Sequence, residues 1–146
     1  MFLFLVVGFI LLFDQFTKFL AEKTLSIGQT YPVINNVLHF SLVHNTGAAF
    51  GIFKNQAAVF IFVSVFAVAL LVLVYKNLGH DNLLLKSGCM LVLSGALGNL
   101  IDRVRLGYVI DFIDFRIWPV FNVADSCIFI GACVFAFVLI TKKRSE

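Results

Sequence analysis

The sequence predicts an α-helical integral membrane protein, with four transmembrane helices and a small β-platform, and three observations predict it. The 146-residue chain is 61% hydrophobic and only 13% charged, whereas a water-soluble domain carries about 25% charged residues. So short a chain has no soluble core large enough to hide that much apolar side chain. Four apolar stretches, at about 2–20, 57–75, 83–101 and 120–141, each reach the roughly 20 residues a bilayer-spanning helix needs, and one polar connector between them alternates like a strand.

The whole of 1–146 reads as one membrane-embedded domain, without internal repeats. Span one has no basic region ahead of it and no small-residue cleavage site, and it runs into Asp14-Gln15-Phe16-Thr17-Lys18. That predicts a retained helix rather than a cleaved signal. In connector 21–56, Val37 to Val43 alternates roughly and Asn35-Asn36 marks a turn before it, which predicts a small sheet lying on the membrane surface. A short connector, 76–82, joins spans two and three, and a longer one, 102–119, joins spans three and four.

Four spans put both termini and connector 76–82 on one side, and connectors 21–56 and 102–119 on the other. The first side carries Lys76, Lys86, Lys142, Lys143 and Arg144; the second carries Lys18, Lys23, Lys54, Arg103, Arg105 and Arg116. The totals are close, but the terminal side holds its charges in shorter segments, which favours it as the cytoplasmic side.

Several function classes fall away. A net charge of +3 with no basic block in a polar context excludes a nucleic-acid platform. Cys89, Cys127 and Cys133 lie in apolar stretches without CxxC spacing and read as small hydrophobes. Ser94 has no histidine in any span to activate it, and His39 and His44 match no standard metal spacing.

Ionisable groups inside spans are costly and usually functional. At about 1.5 Å rise per residue, Asp14, Asn99 and Asp125 lie roughly 20–24 Å from the terminal-side ends of their helices, at one level. Faces agree too: Asp14 with Lys18, Asn99 with Asp102 and Arg103, and Asn122 with Asp125 and Ser126 share helical faces. Asp14–Lys18 and Asp102–Arg103 read equally well as interfacial ion pairs. Asp125 has no cation within four residues, and Asp111 sits in an apolar loop segment, Val109 to Ile113, near the same level. Two unpaired carboxylates there suggest a dyad sharing one proton, able to deprotonate a water and polarise a peptide carbonyl. A four-helix ion or solute carrier using the same carboxylates is the alternative; it would want polar groups continuing toward the terminal side, where spans two and three are apolar.

Five boxes carry a family resemblance: Asp14-Gln-Phe-Thr-Lys18, Asn45-Thr-Gly-Ala-Ala-Phe-Gly51, Gly98-Asn-Leu-Ile-Asp-Arg103, Val109-Ile-Asp-Phe-Ile-Asp114 and Phe121-Asn-Val-Ala-Asp-Ser126. In this order over nearly the whole chain, they resemble the lipoprotein signal peptidases, or signal peptidase II. The resemblance implies a multi-pass aspartyl endopeptidase of the bacterial inner membrane with both termini cytoplasmic and an extracytoplasmic platform. It implies removal of the signal peptide from diacylglyceryl-modified prolipoproteins, just before the lipidated Cys, without metal or other cofactor. Asp111 and Asp125 match the catalytic aspartates. Asp14, Lys18, Asn45, Gly47, Phe50, Asn99, Asp102, Arg103 and Asn122 match supporting or substrate-binding positions, and Phe50 beside Gly51 reads equally as a lid or a plain anchoring aromatic. The partners it implies are prolipoproteins, membrane lipid and globomycin-type inhibitors, with the enzyme acting as a monomer.

Overall fold

The computed structural model describes residues 2–47, 57–79 and 82–143. In chain order these form α1 (Phe2–Thr24), β1 (Thr30–Ile34), β2 (Leu38–Asn45), α2 (Ala57–Asn77), α3 (Leu83–Leu106), β3 (Val109–Asp114) and α4 (Val123–Lys143). Four helices and one small sheet are present, and two of the three strands lie in connector 21–56, where the sequence expects a sheet. The Phe50 lid expectation falls outside the described residues.

Two helix segments, Ala58–Asn77 and Leu83–Leu106, are long and apolar enough to cross a membrane. None of the α2 segment is buried against the rest of the chain, which a soluble core helix would be. On α1, Phe9, Leu12 and Phe16 are exposed as well. Surface of this kind suits lipid and not water.

Helix α1 runs on to Thr24 rather than 20, α2 to Asn77 rather than 75 and α4 to Lys143 rather than 141. Two further boundaries differ from expectation, each for a local reason. Helix α3 runs to Leu106 rather than 101, because it stops where Gly107 takes a left-handed conformation (φ 81°) and donates its N–H to the Arg103 carbonyl. Helix α4 starts at Val123 rather than 120. Asn122 is its N-cap: its Oδ1 accepts the Asp125 N–H at 2.9 Å, while Asp125 Oδ2 accepts the Asn122 N–H at 3.3 Å. This reciprocal pair is a capping box. Asp125 therefore stands in the first turn of α4, not in the interior of a span as the hydropathy run suggests.

Helices α3 and α4 approach closely through glycine. A Cβ on Gly95 would run into the Ala124 carbonyl, and one on Gly131 would come within 2.7 Å of the Gly88 carbonyl.

The sheet has the order β1-β2-β3, antiparallel throughout. Asn36, at φ 61°, makes the turn between β1 and β2. Pro32 is tolerated because β1 is the edge strand. The segment expected to be an apolar loop, Val109 to Ile113, is instead strand β3. It pairs with β2 (Val43 with Asp111, Asn45 with Val109). Its far edge is covered by Phe121, which accepts N–H groups from Phe112 and Ile113 at 3.0 and 2.7 Å. Strand alternation then separates two faces. Ile110 and Phe112 pack with Leu42 and with Ala21 of α1, while Val109 and Asp111 face the other way, into a cavity.

Candidate active site

The cavity measures about 700 Å³ and lies between the sheet, α3 and the start of α4. Asp111 from β3 and Asp125 from α4 both line it, together with Asn45, Gly47, Asn99 and Arg103. Asp111 is almost wholly buried, at 2% exposure.

Each of the four carboxylate oxygens accepts a hydrogen bond from an asparagine. Asp111 Oδ1 takes the Asn122 side-chain N–H at 2.7 Å, and Oδ2 takes that of Asn45 at 2.8 Å. Asp125 Oδ1 takes the Asn99 side chain at 2.7 Å, and Oδ2 the Asn122 backbone N–H. Asn122 thus touches both carboxylates. Amide donors hold the acids in place without neutralising them, and each oxygen keeps room for a proton or a water.

Those amides have no freedom to flip, because each carbonyl oxygen is already engaged. Asn45 Oδ1 accepts the Gly47 N–H at 3.0 Å. Asn122 Oδ1 accepts the Asp125 N–H. Asn99 Oδ1 accepts both Lys18 Nζ and the Asn122 side chain, each at 3.1 Å. The donor end of every amide is therefore committed to a carboxylate.

Lys18 sits one layer behind, 1% exposed. Its ammonium has three donors, and they meet Asp14 Oδ2 at 2.8 Å, Asp102 Oδ2 at 2.7 Å and Asn99 Oδ1. The expected Asp14–Lys18 pair is present. The Asp102–Arg103 pair is not: Asp102 turns to Lys18, to Gln15 (2.8 Å) and to the Ile110 N–H (3.3 Å). Asp102 is 2% exposed and meets the equally buried ammonium, while Arg103 is only half-buried. Arg103 instead points to the cavity, its guanidinium 5.2 Å from the centre of the Phe60 ring. Asp14 reaches α4, accepting the Ala124 N–H at 2.9 Å and so satisfying one of that helix's free terminal amides.

Burial pushes the Asp111 carboxyl up to about 7, helped by the charge of Asp125 and opposed by the Asn45 and Asn122 hydrogen bonds and the charge of Lys18. Near neutral pH such a group exchanges its proton readily, which suits one member of an acid–base pair.

Sequence reasoning misses two kinds of participant. Gln15 has no role by motif, yet it links α1 to Asp102 and accepts from Arg105 at 3.3 Å. Trp118, Ile128 and Phe129 form an apolar wall of the cavity. The single tryptophan beside Pro119, in a connector at the expected membrane interface, is the signal that could have found that wall. Among the described residues no group of three or more His, Cys, Asp or Glu is placed to hold a metal ion.

Comparison with known proteins adds an independent line. A family model described as signal peptidase (SPase) II matches residues 6–141. The lipoprotein signal peptidase of Halothermothrix orenii is 44% identical over 97% of this chain and 97% of its own length. That of Caldanaerobacter subterraneus is 48% identical over 94% of both. A solved structure described as a bacterial membrane enzyme superposes with a TM-score of 0.94, at 34% identity, over 99% of this chain and 90% of that one.

Proposed function

The chain belongs to the signal peptidase II family of aspartic peptidases, and from that premise we propose that it removes the signal peptide from diacylglyceryl-modified bacterial prolipoproteins, cutting just before the lipidated Cys. Asp111 and Asp125 are the catalytic pair. The observation that carries this reading is Asn122, which donates from its side chain to one carboxylate and from its backbone to the other, inside one cavity.

In the resting pair one carboxyl holds a proton and the other does not. The ionised member takes a proton from water, and that water attacks the carbonyl carbon of the scissile peptide. The protonated member donates toward the carbonyl oxygen as charge develops there, and the proton then passes to the leaving amine. Asn45, Asn99 and Asn122 keep both carboxylates in place through these transfers. Arg103 and the Gly47 backbone border the cavity where the substrate peptide must lie. The apolar wall of Trp118, Ile128 and Phe129 suits the side of the substrate that carries lipid. Lys18, Asp14 and Asp102 act from behind, by fixing Asn99, α4 and β3.

All four helices cross the bilayer in this reading, as one domain, with both termini in the cytoplasm and the sheet on the outer face of the inner membrane. The enzyme works as a monomer and is blocked by globomycin. A solute carrier, the alternative reading of the buried carboxylates, finds no support among the relatives, which are named as peptidases.

The test is product mapping. Purified enzyme in detergent, given a lipidated prolipoprotein, is expected to release a signal peptide and leave the lipidated Cys as the new N-terminus, and globomycin is expected to stop the reaction. Cleavage elsewhere, or equal cleavage of unlipidated precursor, contradicts the proposal.

A further inference from the structure

His44 stands at the rim of the same cavity, one residue before Asn45. Its Nε2 lies 3.3 Å from Glu22 Oε1 of α1, an ion-pair distance rather than an aligned hydrogen bond. Its ring stacks on Tyr108, with centroids 4.0 Å apart and planes 16° from parallel. Tyr108 leads into β3, and its hydroxyl interacts with Glu22 as well. Three elements therefore meet in one small cluster: the end of α1, the end of β2 and the start of β3.

The cluster lies where β2 runs out. Asn45 is the last residue of that strand, and its side chain holds Asp111 Oδ2. Strand ends fray unless tied. Beyond an irregularity between Phe40 and Val43, the ladder consists of three pairings, Val43 with Asp111, His44 with Ile110 and Asn45 with Val109. We propose that Glu22, His44 and Tyr108 form a clamp that positions Asn45 on Asp111 and thereby sets how the catalytic pair shares its proton. The proposal rests on Asp111 and Asp125 being that pair.

His44 acts through its neighbour. Successive residues of a strand point to opposite faces; His44 engages α1, and Asn45 engages the acid. Among the described residues Glu22 is the one ion-pair partner of His44. Arg103 from α3 and Asp111 from β3 share the cavity with it, and the charge of Asp102 acts on Tyr108. The direction of the effect follows from the Asn45 hydrogen bond, which favours the ionised form of Asp111 against burial and the charge of Asp125. A loosened clamp weakens that bond and moves the rate–pH profile to higher pH.

The experiment compares wild type, His44→Ala, Glu22→Gln, Asn45→Ala and the double variant His44→Ala/Asn45→Ala in the lipoprotein cleavage assay. The readouts are kcat, KM and the pH profile, and thermal unfolding checks the fold. His44→Ala is expected to lower kcat by roughly tenfold, less than the ~100-fold that misplacing a reacting group outright can cost. KM should hold while the profile moves to higher pH by about half a unit or more, the order expected for weakening a hydrogen bond to a charged group. Glu22→Gln should act in the same direction, more mildly, and carries the test if His44→Ala does not fold. In the Asn45→Ala background, removing His44 should cost less than about twofold further.

An unmoved pH profile, an effect confined to KM, or a full additional loss in the Asn45→Ala background overturns the clamp. Asp111→Asn is run alongside. If it retains wild-type activity, the catalytic pair itself is wrong and the clamp falls with it; if it is inactive while His44→Ala is unchanged, the clamp alone is wrong.

Discussion

Two sets of buried acids lie side by side here and are held by opposite means. Asp14 and Asp102 share the ammonium of Lys18, so each has a cationic partner at contact distance and they serve structure. Asp111 and Asp125 are held by neutral amides, so their proton remains available for chemistry. Asp111, pushed up to about 7, gives this contrast a measurable consequence. A carboxyl that binds its proton more tightly in the folded chain than in the unfolded one makes stability fall as pH rises between the two values. The fall spans about pH 4 to 7 and amounts to at most roughly 4 kcal/mol, at about 1.4 kcal/mol for each pH unit crossed. Asp111→Asn should flatten that part of the stability–pH curve in detergent, and an equally steep curve in the variant contradicts the account. This contrast between the two sets is only half legible in the chain. The spacing of Asp14 and Lys18 announces their pairing. Nothing local to Asp102 announces that it turns from adjacent Arg103 to a lysine 84 positions earlier in the chain, because that choice depends on desolvation, which only the packed helices create.

At the scale of elements, the site depends on where helices and strands stop. The capping box of α4 brings Asp125 to the mouth of its helix, and the Gly107 cap ends α3 so that β3 can turn back beside it. Hydropathy marks long apolar runs but is blind to such ends, which is why Asp125 reads as lying inside an apolar span that begins at 120 rather than in the first turn of a helix that begins at Val123. Strand β3 is hidden for a related reason: buried on both faces, Val-Ile-Asp-Phe-Ile-Asp shows no polar–apolar alternation in water-facing terms. By contrast, β2 and the turn at Asn36 are readable, since one side of that hairpin stays exposed. Helix packing supplies the prediction at this scale. Gly95→Ala places a methyl against the Ala124 carbonyl, next to Asp125, and should cost about 1–3 kcal/mol of stability as well as activity. Gly8→Ala, whose Cβ would meet nothing within 4 Å, should be silent in both. Thermal unfolding and the cleavage assay distinguish the two, and equal behaviour contradicts the packing described here.

Across the whole molecule, apolar helices and a sheet at one end fit a substrate anchored by its own lipid. The acyl chains keep the substrate in the bilayer, so the peptide bond beside them must be cut near the membrane surface. Polar groups that look expensive inside a membrane protein are gathered at that one level. Their orientation in the cell is open to direct labelling. A cysteine placed at Thr30, in the exposed edge strand, should react with an impermeant maleimide added outside intact cells, and one placed at Lys143, at the end of α4, should react only after lysis. The reverse pattern inverts the proposed topology and removes the site from its substrate.

The central claim is that Asp111 and Asp125 act as one catalytic unit, and cleavage by the two asparagine variants tests it most directly. Purified Asp111→Asn and Asp125→Asn, both shown to be folded and still able to bind globomycin, are predicted to lose at least ~100-fold of the wild-type rate on a lipidated prolipoprotein, the lower bound for removing an acid–base group. Wild-type cleavage by either folded variant would contradict the account.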